Sequence, residues 1–343
     1  GVNVAATATN ARDNKALIDY TARVAADYFA RQGMAEYAFN GSVLLSKKLG
    51  QGFTTSFTTE LYLAYLDYSI GGTASNNMVL FHPKIQYQYK DLIAHAGIKP
   101  VIGRGNSSYF LPDLYISYKF PAAAVAFFGG WDGSLRQNTF QQLAEYNPYL
   151  QAGYLINQTQ QEELYGGLKV GIANNFTFTG KVGHLNYHQL PMFLNNWVGE
   201  NNFFITYDQV KAMAITAMVR YDLAALFSIN VGGTYTNYYQ STYAHVWHEP
   251  SFKLHADFSF RPLKDLQITA YNRMMDGMFA LNSFNQIEKL PTIFDLGLGG
   301  EYQFVSRLST FINLNNLLNQ KYQRWYNYNA YGFNIYGGLR LKF

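Results

Sequence analysis

The sequence predicts an all-β fold: a transmembrane antiparallel β-barrel of about 16 or more strands, with short periplasmic turns and long extracellular loops. Three observations carry this expectation. From Tyr331 to Phe343 the residues alternate, with Tyr331, Phe333, Ile335, Gly337, Leu339, Leu341 and Phe343 set against Gly332, Asn334, Tyr336, Gly338, Arg340 and Lys342. Strand side chains point to opposite faces with period two, so one face suits hydrocarbon and the other water. The chain is 48% hydrophobic and 17% aromatic, yet its mean hydropathy is only −0.15. It has no run of about 18 apolar residues, so helical membrane spans are excluded, whereas a barrel hides its membrane signal in alternation. The third observation is that the connections alternate between short and long.

Taken in order, Gly1 to Thr9 sets Val2, Val4, Ala6 and Ala8 against Asn3, Ala5, Thr7 and Thr9. Lys15 to Asp27 repeats the pattern with Tyr20, Ala22, Val24 and Ala26 on one side. Strands follow at 36–45 and 53–66, at 79–90 and 92–104, and at 114–120 and 122–131, the last two joined at Pro121. Proline is tolerated at a turn and not inside a sheet. The pattern resumes at 162–172, 176–188, 208–221, 226–238, 252–260, 263–275, 293–305 and 308–318, and the terminal strand closes the series. Connections near 10–14, 47–52, 91, 121, 174, 223, 262 and 306 are short. Those around 28–35, 67–78, 105–113, 132–161, 189–207, 239–251, 284–292 and 319–330 are longer and rich in Asn, Gly, Ser and Tyr. A soluble sandwich would need two inner faces and would not sort its loops by length.

This reading gives about seventeen strands, whereas bacterial single-chain barrels have even numbers. Either residues 1–9 stand outside the barrel, or the single barrel domain at 1–343 lacks N-terminal residues, which is the preferred reading. The chain starts at Gly1 without an initiator Met or a signal peptide, as a mature product or a fragment would.

Net charge is +4 without a dense Lys/Arg cluster, so nucleic acid is not an expected partner. With no cysteine, disulfides and thiolate metal sites are excluded. The seven histidines are His82, His95, His184, His188, His245, His248 and His255. His184 and His188 share a strand face about 13 Å apart, too far to share a metal. No G-x-S-x-G motif or Ser-His-acid spacing occurs, so no catalytic residue, metal or cofactor is expected.

Alternation places Lys84, Lys90, Lys169, Lys181, Arg220, Lys253, His255, Asp257, Arg273, Glu301, Arg340 and Lys342 on the inward face. Any water-filled lumen requires polar groups there; a cationic excess would also favour anionic solutes. Tyr115, Tyr118, Phe120, Tyr302, Phe304 and Tyr336 are candidates for interface girdles. Small inward residues such as Gly167, Gly171, Gly183, Gly232, Gly297, Gly299 and Gly338 cannot fill so wide a pore. A plug, a folded-in loop such as 132–161, or a partner chain is therefore expected in the lumen.

Phe311 to Tyr322, FINLNNLLNQKY, followed by YGGLRLKF, resembles the C-terminal end of TonB-dependent outer-membrane receptors, particularly those of Bacteroidota. Asn147-Pro148-Tyr149-Leu150, leading to Glu162-Glu163-Leu164-Tyr165-Gly166-Gly167, is similar to that family's Asn-Pro-x-Leu segment, with Gln151-Ala152 replacing the usual pair after it. The resemblance implies a multi-pass barrel in the outer membrane of a Gram-negative bacterium. It further implies that Tyr331, Phe333, Ile335, Leu339, Leu341 and Phe343 form a membrane-assembly signal. Expected partners are outer-membrane lipid, a plug domain, a surface lipoprotein or other subunits of an outer-membrane complex. The sequence departs from the family in carrying neither plug nor TonB box, and in being too short for about 22 strands. Two functions follow: the barrel part of such a transporter, or a plugless accessory or structural subunit of a complex, with a passive porin as a third reading.

Overall fold

Alternation of this kind builds one dominant sheet in the computed structural model. The structure describes residues 1–343 apart from 11–16, 32, 69–71, 154–155, 173–174, 197–201 and 343. Among the described residues this antiparallel sheet has 18 strands. The wall begins with β1 (Val2–Thr9), β2 (Asp19–Arg31), β3 (Met34–Gly50), β4 (Phe53–Tyr68), β5 (Met78–Tyr89) and β6 (Leu92–Ile102). It continues with β7 (Ser108–Phe120), β8 (Val125–Arg136), β9 (Thr159–Ile172), β10 (Phe176–Asn196), β11 (Asn202–Leu223) and β12 (Phe227–Gln240). It ends with β13 (Phe252–Leu263), β14 (Leu266–Asp276), β15 (Ile293–Val305), β16 (Leu308–Asn315) and β17 (Asn334–Leu341). Each wall strand pairs with the next in sequence, and a short arm, Thr73–Ser75, pairs with the end of β4. Among the described residues no helix is long and apolar enough to cross a membrane.

β1 pairs with β2 along its whole length, from Val2↔Tyr28 to Thr9↔Thr21, so the first stretch is a sheet strand and does not stand outside it. In an antiparallel meander β1 and β17 run the same way, and no pairing joins them among the described residues. The expected turn at 10–14, the expected strand start at 15–16, Asn174 of the expected turn and Phe343 fall wholly or mainly outside the described residues.

Register fixes the two faces. Asp113 of β7 lies opposite Gly97 of β6 and Asp132 of β8, and Gly97 lies opposite Lys84 of β5, so these residues share the inner face. The outer face carries Phe57, Ile85, Ile116, Leu164, Ile215 and Ile312, with Ile116 56% and Leu164 60% exposed. Burying such a side chain is worth about 1.5–3 kcal/mol, so a sheet that leaves a whole face of them bare is stable against lipid and not against water.

Aromatic pairs mark two levels on this outer face. Near the short turns Phe53 meets Tyr87 (ring centroids 4.6 Å apart), Phe120 meets Tyr118 (4.8 Å) and Phe127 (5.8 Å), and Tyr302 meets Phe304 (5.1 Å). Toward the other end Tyr37 lies between Tyr28 (5.2 Å) and Tyr65 (6.5 Å). Along β4, Phe53 to Tyr65 spans about 40 Å at strand rise, or about 30 Å of depth at a tilt of about 40°. That matches the hydrocarbon thickness of a bilayer. The girdle expectation is corrected at two positions: Tyr115 pairs with inward His95, and Tyr336 pairs with inward Asn313, so both rings face the interior.

Three connections differ from expectation. Residues 28–35 are mostly strand with a tight join after Arg31, residues 108–113 belong to β7, and β10 and β11 run on through most of 189–207. In β10 the register slips between Tyr187 and Leu190, where Gln189 takes φ 58°, and the hairpin beyond bends so that both its faces are covered. A hairpin buried on both faces loses its polar alternation and reads as a loop. The terminal strand starts at Asn334, so Tyr331 and Phe333 precede it; the Tyr331 carbonyl accepts from Asn316 Nδ2 at 3.0 Å.

Candidate functional site

The connection between β8 and β9, residues 137–158, holds a short helix, α1 (Phe140–Tyr146). Thr139 caps it, its side chain accepting from the Gln142 amide, and Phe140, Leu143 and Ala144 form its buried stripe. The Glu36 carboxylate on the inner face of β3 accepts from the Phe140 and Gln141 amides at 2.6 and 3.2 Å. An anion satisfying free N–H groups at a helix start holds the helix against the wall. Pro148 cannot continue the helix, which ends before it.

Beyond α1 the segment crosses the mouth. Leu150 forms a bridge with Phe203; the Gln151 amide donates to the Phe203 carbonyl at 2.8 Å, and the Phe203 amide to that of Tyr149 at 3.0 Å. One apolar cluster joins Met34 and Leu66 of β3 and β4 to Phe140, Leu143 and Leu150, and these to Phe193, Phe203 and Ile205 of β10 and β11. The two strand pairs lie seven strands apart around the wall, so the segment spans the opening. The opposite face of the β10–β11 hairpin, with Met192, Leu194 and Val210, is covered by Val246 and Trp247.

A polar pin locks these loops. The Arg324 guanidinium lies 4.4 Å from the Trp325 ring centroid and 5.2 Å from that of Tyr146. It donates to the His248 carbonyl and the Tyr146 oxygen at 2.5 Å each. The Tyr146 hydroxyl donates to Glu249 at 2.5 Å, and burial followed by the Glu249 charge pushes its pKa well above the usual tyrosine range.

His248 is buried, with Nδ1 2.8 Å from the Phe193 carbonyl and Nε2 3.5 Å from the Tyr326 amide. Those partners assign a neutral ring that donates from Nδ1 and accepts at Nε2. Burial is the main cause that pushes its pKa down to about 3. The unfolded segment therefore binds the extra proton: stability present above about pH 6.5 is lost progressively as pH falls toward 3. Amide exchange in 241–249 and 320–329, corrected for its intrinsic rate, is expected to be faster at pH 5 than at pH 7. His248→Gln should flatten that difference, and an unchanged difference in the variant would refute the assignment.

Behind α1 lies a cavity of about 700 Å³ lined in part by Asp27, Glu36, Glu60, His82, Lys99 and Glu145. Farther down the inner wall Asp113 bridges His82 (2.7 Å) and His95 (2.8 Å), and Lys99 contacts Asp132 at 2.5 Å. A second cavity, about 430 Å³, is lined by Tyr115, Asp132, Glu163, Tyr165, Lys169 and Lys181.

Much of the inward set is paired, two of the pairs across neighbouring strands, one between β15 and β17 across β16, one within β11 and one with the loop before β13. Lys181 contacts Glu163 (2.6 Å), Arg220 contacts Asp222 (2.6 Å), Lys253 contacts Glu249 (3.5 Å), Arg273 contacts Asp257 (2.6 Å) and Arg340 contacts Glu301 (2.7 Å). His255 lies across Gly232, where a Cβ would stand 2.4 Å from the ring, and Lys342 follows β17 with its amide on the Arg307 carbonyl. Pairing removes much of the cationic excess on which anion selectivity would rest. The His82–Asp113–His95 bridge was missed in the sequence; its only local signal is the tight join at 90–91, which sets Gln86 opposite His95. Ile335, Leu339 and Leu341 face outward, all more than half exposed.

No family model and no curated protein sequence matches the chain. Its fold is that of outer-membrane receptor barrels. The ferripyoverdine receptor of the outer membrane of Pseudomonas aeruginosa superposes with a TM-score of 0.63 at 12% identity, over 94% of this chain and 53% of that one. The siderophore receptor PirA from Acinetobacter baumannii gives 0.68 at 10% identity, over 95% and 60%. The copper transporter OprC gives 0.66 at 10% identity, over 99% and 64%. These neighbours are TonB-dependent receptor barrels, the group that residues 311–322 resemble, and they are receptors and transporters rather than enzymes. The chain spans little more than half to under two thirds of their length.

Proposed function

We propose that the chain forms the wall and gated mouth of an outer-membrane receptor that takes up a solute, with segment 137–158 as the gate. The carrying observation is that one segment is bonded to both sides of the mouth, by Glu36 on β3 and by Phe203 on β11, with a cavity behind it. Lys169, Lys181, Arg220, Lys253, His255, Asp257, Arg273, Glu301, Arg340 and Lys342 would line the route below, where a plug domain would also sit. That β1 and β17 run the same way, with no pairing between them among the described residues, supports a wall continued by an odd number of further strands, because antiparallel closure demands opposite neighbours. Single-channel recording on protein purified from outer membranes tests the gate. Low conductance that rises sharply once residues 140–150 are replaced by a Gly/Ser linker is expected; a large, always-open current from the unaltered protein would favour a porin.

The outward residues of the terminal strand, with Tyr331, Phe333 and Phe343, are read as the assembly signal, alongside Ile335, Leu339 and Leu341. Deleting Phe343 is expected to lower the amount of heat-modifiable barrel in outer membranes. Unchanged levels would remove that role.

A further inference from the structure

Charge is sorted along the barrel axis. Toward the loop end many cations are already engaged: Lys99 by Asp132, Lys253 by Glu249, Lys289 by Asp276, and Arg324 by the His248 carbonyl. At the short-turn end, Lys47, Lys48, Lys90, Lys264, Arg307 and Lys342 are exposed. Among the described residues none of these six has an acidic partner within salt-bridge distance. The acids at this level include Asp91 and Asp265, which follow Lys90 and Lys264 in the turns without an ion pair among the described residues, and Asp222, which is held by Arg220 at 2.6 Å.

Their position relative to the aromatic belt gives these cations a definite surroundings. Lys90 sits 5.2 Å over the ring of Tyr89, Lys47 and Lys48 pair with Thr55 and Thr54 just above Phe53, and Arg307 follows Phe304 by three residues. The Lys342 amide on the Arg307 carbonyl brings two of the cations onto adjacent strands. The belt marks where hydrocarbon gives way to head groups; Lys90, Lys264 and Arg307 stand at the turns beyond it, and Lys47, whose backbone lies about two residues inside it, reaches head-group depth along its side-chain stem. They occupy the joins between β3 and β4, β5 and β6, β13 and β14, and β15 and β16, and the end of β17. A single soluble anion would meet one or two of them. A sheet of phosphates surrounding the wall meets Lys47, which points outward opposite Thr55, and Lys90, Lys264 and Arg307 at the turns, whereas Lys48 and Lys342 belong to the inner face; basic groups near an anionic lipid surface each add to the attraction.

We propose that this rim binds the head groups of anionic phospholipids in the periplasmic leaflet and so fixes the depth of the barrel. The test places the purified protein in nanodiscs of equal phosphatidylglycerol and phosphatidylcholine and measures the lipid retained at its surface by mass spectrometry. Phosphatidylglycerol is expected to be enriched about threefold or more at low salt, and to fall to near parity at high salt. The combined variant Lys47→Gln, Lys90→Gln, Lys264→Gln, Arg307→Gln should lose the enrichment, whereas Lys211→Gln with Lys321→Gln at the loop end should keep it. Equal retention of the two lipids by the unaltered protein, enrichment that survives high salt, or equal losses in the two variants would each overturn the proposal. Binding to cell-wall sacculi that the rim variant loses, without lipid preference, would assign the rim to the cell wall instead. Should the rim variant fail to fold, the salt response of the unaltered protein decides.

Discussion

Ala256→Arg is expected to reduce folded barrel severely, while Asp257→Asn leaves it nearly intact. Ala256 lies in the middle of β13 opposite Val231 and Asn272, on the face shared with Leu254 and Phe258. An arginine at mid-membrane depth on that face costs about 2–4 kcal/mol. Asp257 points inward and contacts Arg273 at 2.6 Å, with both side chains more than a third exposed. A pair so open to solvent is worth about 0–1 kcal/mol. Urea midpoints of the refolded variants in lipid vesicles measure both effects. Equal destabilisation by the two substitutions would mean that the inner and outer faces of β13 are interchanged.

Phe203→Ala should release the mouth without dissolving the wall. Phe203 is fully buried where the gate segment meets the β10–β11 hairpin, within 5.5 Å of the Trp325 ring and 5.1 Å of His248 between centroids. Truncating a buried phenylalanine costs about 3–5 kcal/mol. Because the ring sits at the loop end of β11, beyond the register slip, and packs against the gate and Trp325, the loss should be read as local opening: proteolysis within 137–158 and 316–333 rises, while strand amides of β12 to β16 keep their protection. Phe110→Ala, at a ring 72% exposed near the same end, provides the comparison and should change little. Uniform loss of protection across the wall would show that the mouth and wall unfold as one unit.

Much of the wall was legible from residues alone. Phe252, Leu254, Ala256, Phe258 and Phe260 alternate without a slip, and β13 is paired on both sides through that whole run. All seventeen expected segments coincide with wall strands, because each is wet on one face and lipid-exposed on the other, which writes period two into the sequence. Tight joins such as Gln51-Gly52 were equally plain; Gly52 takes φ 86°, and a Cβ there would stand 2.2 Å from the Gln88 carbonyl oxygen.

The mouth was not legible in the same way. Met192 and Phe193 are both buried although adjacent, one against Val246 and Trp247 and the other against Trp325 and the gate, so no alternation survives there. Tyr115 and Tyr336 have the composition of girdle residues, and only register against His95 and Asn313 turned them inward. The loop 132–161 was expected as one candidate to occupy the lumen, but the anchors of its segment 137–158, Glu36, Phe203 and Arg324 to Tyr146, lie far from it in the chain. Alternation is a local consequence of strand geometry and the two solvents that flank it, so the sequence by itself determined the strands, their faces and the membrane they suit. Which loop crosses the opening, and which side chains meet there, depends on contacts between residues brought together only when the sheet curls round, and the tertiary structure alone decided them.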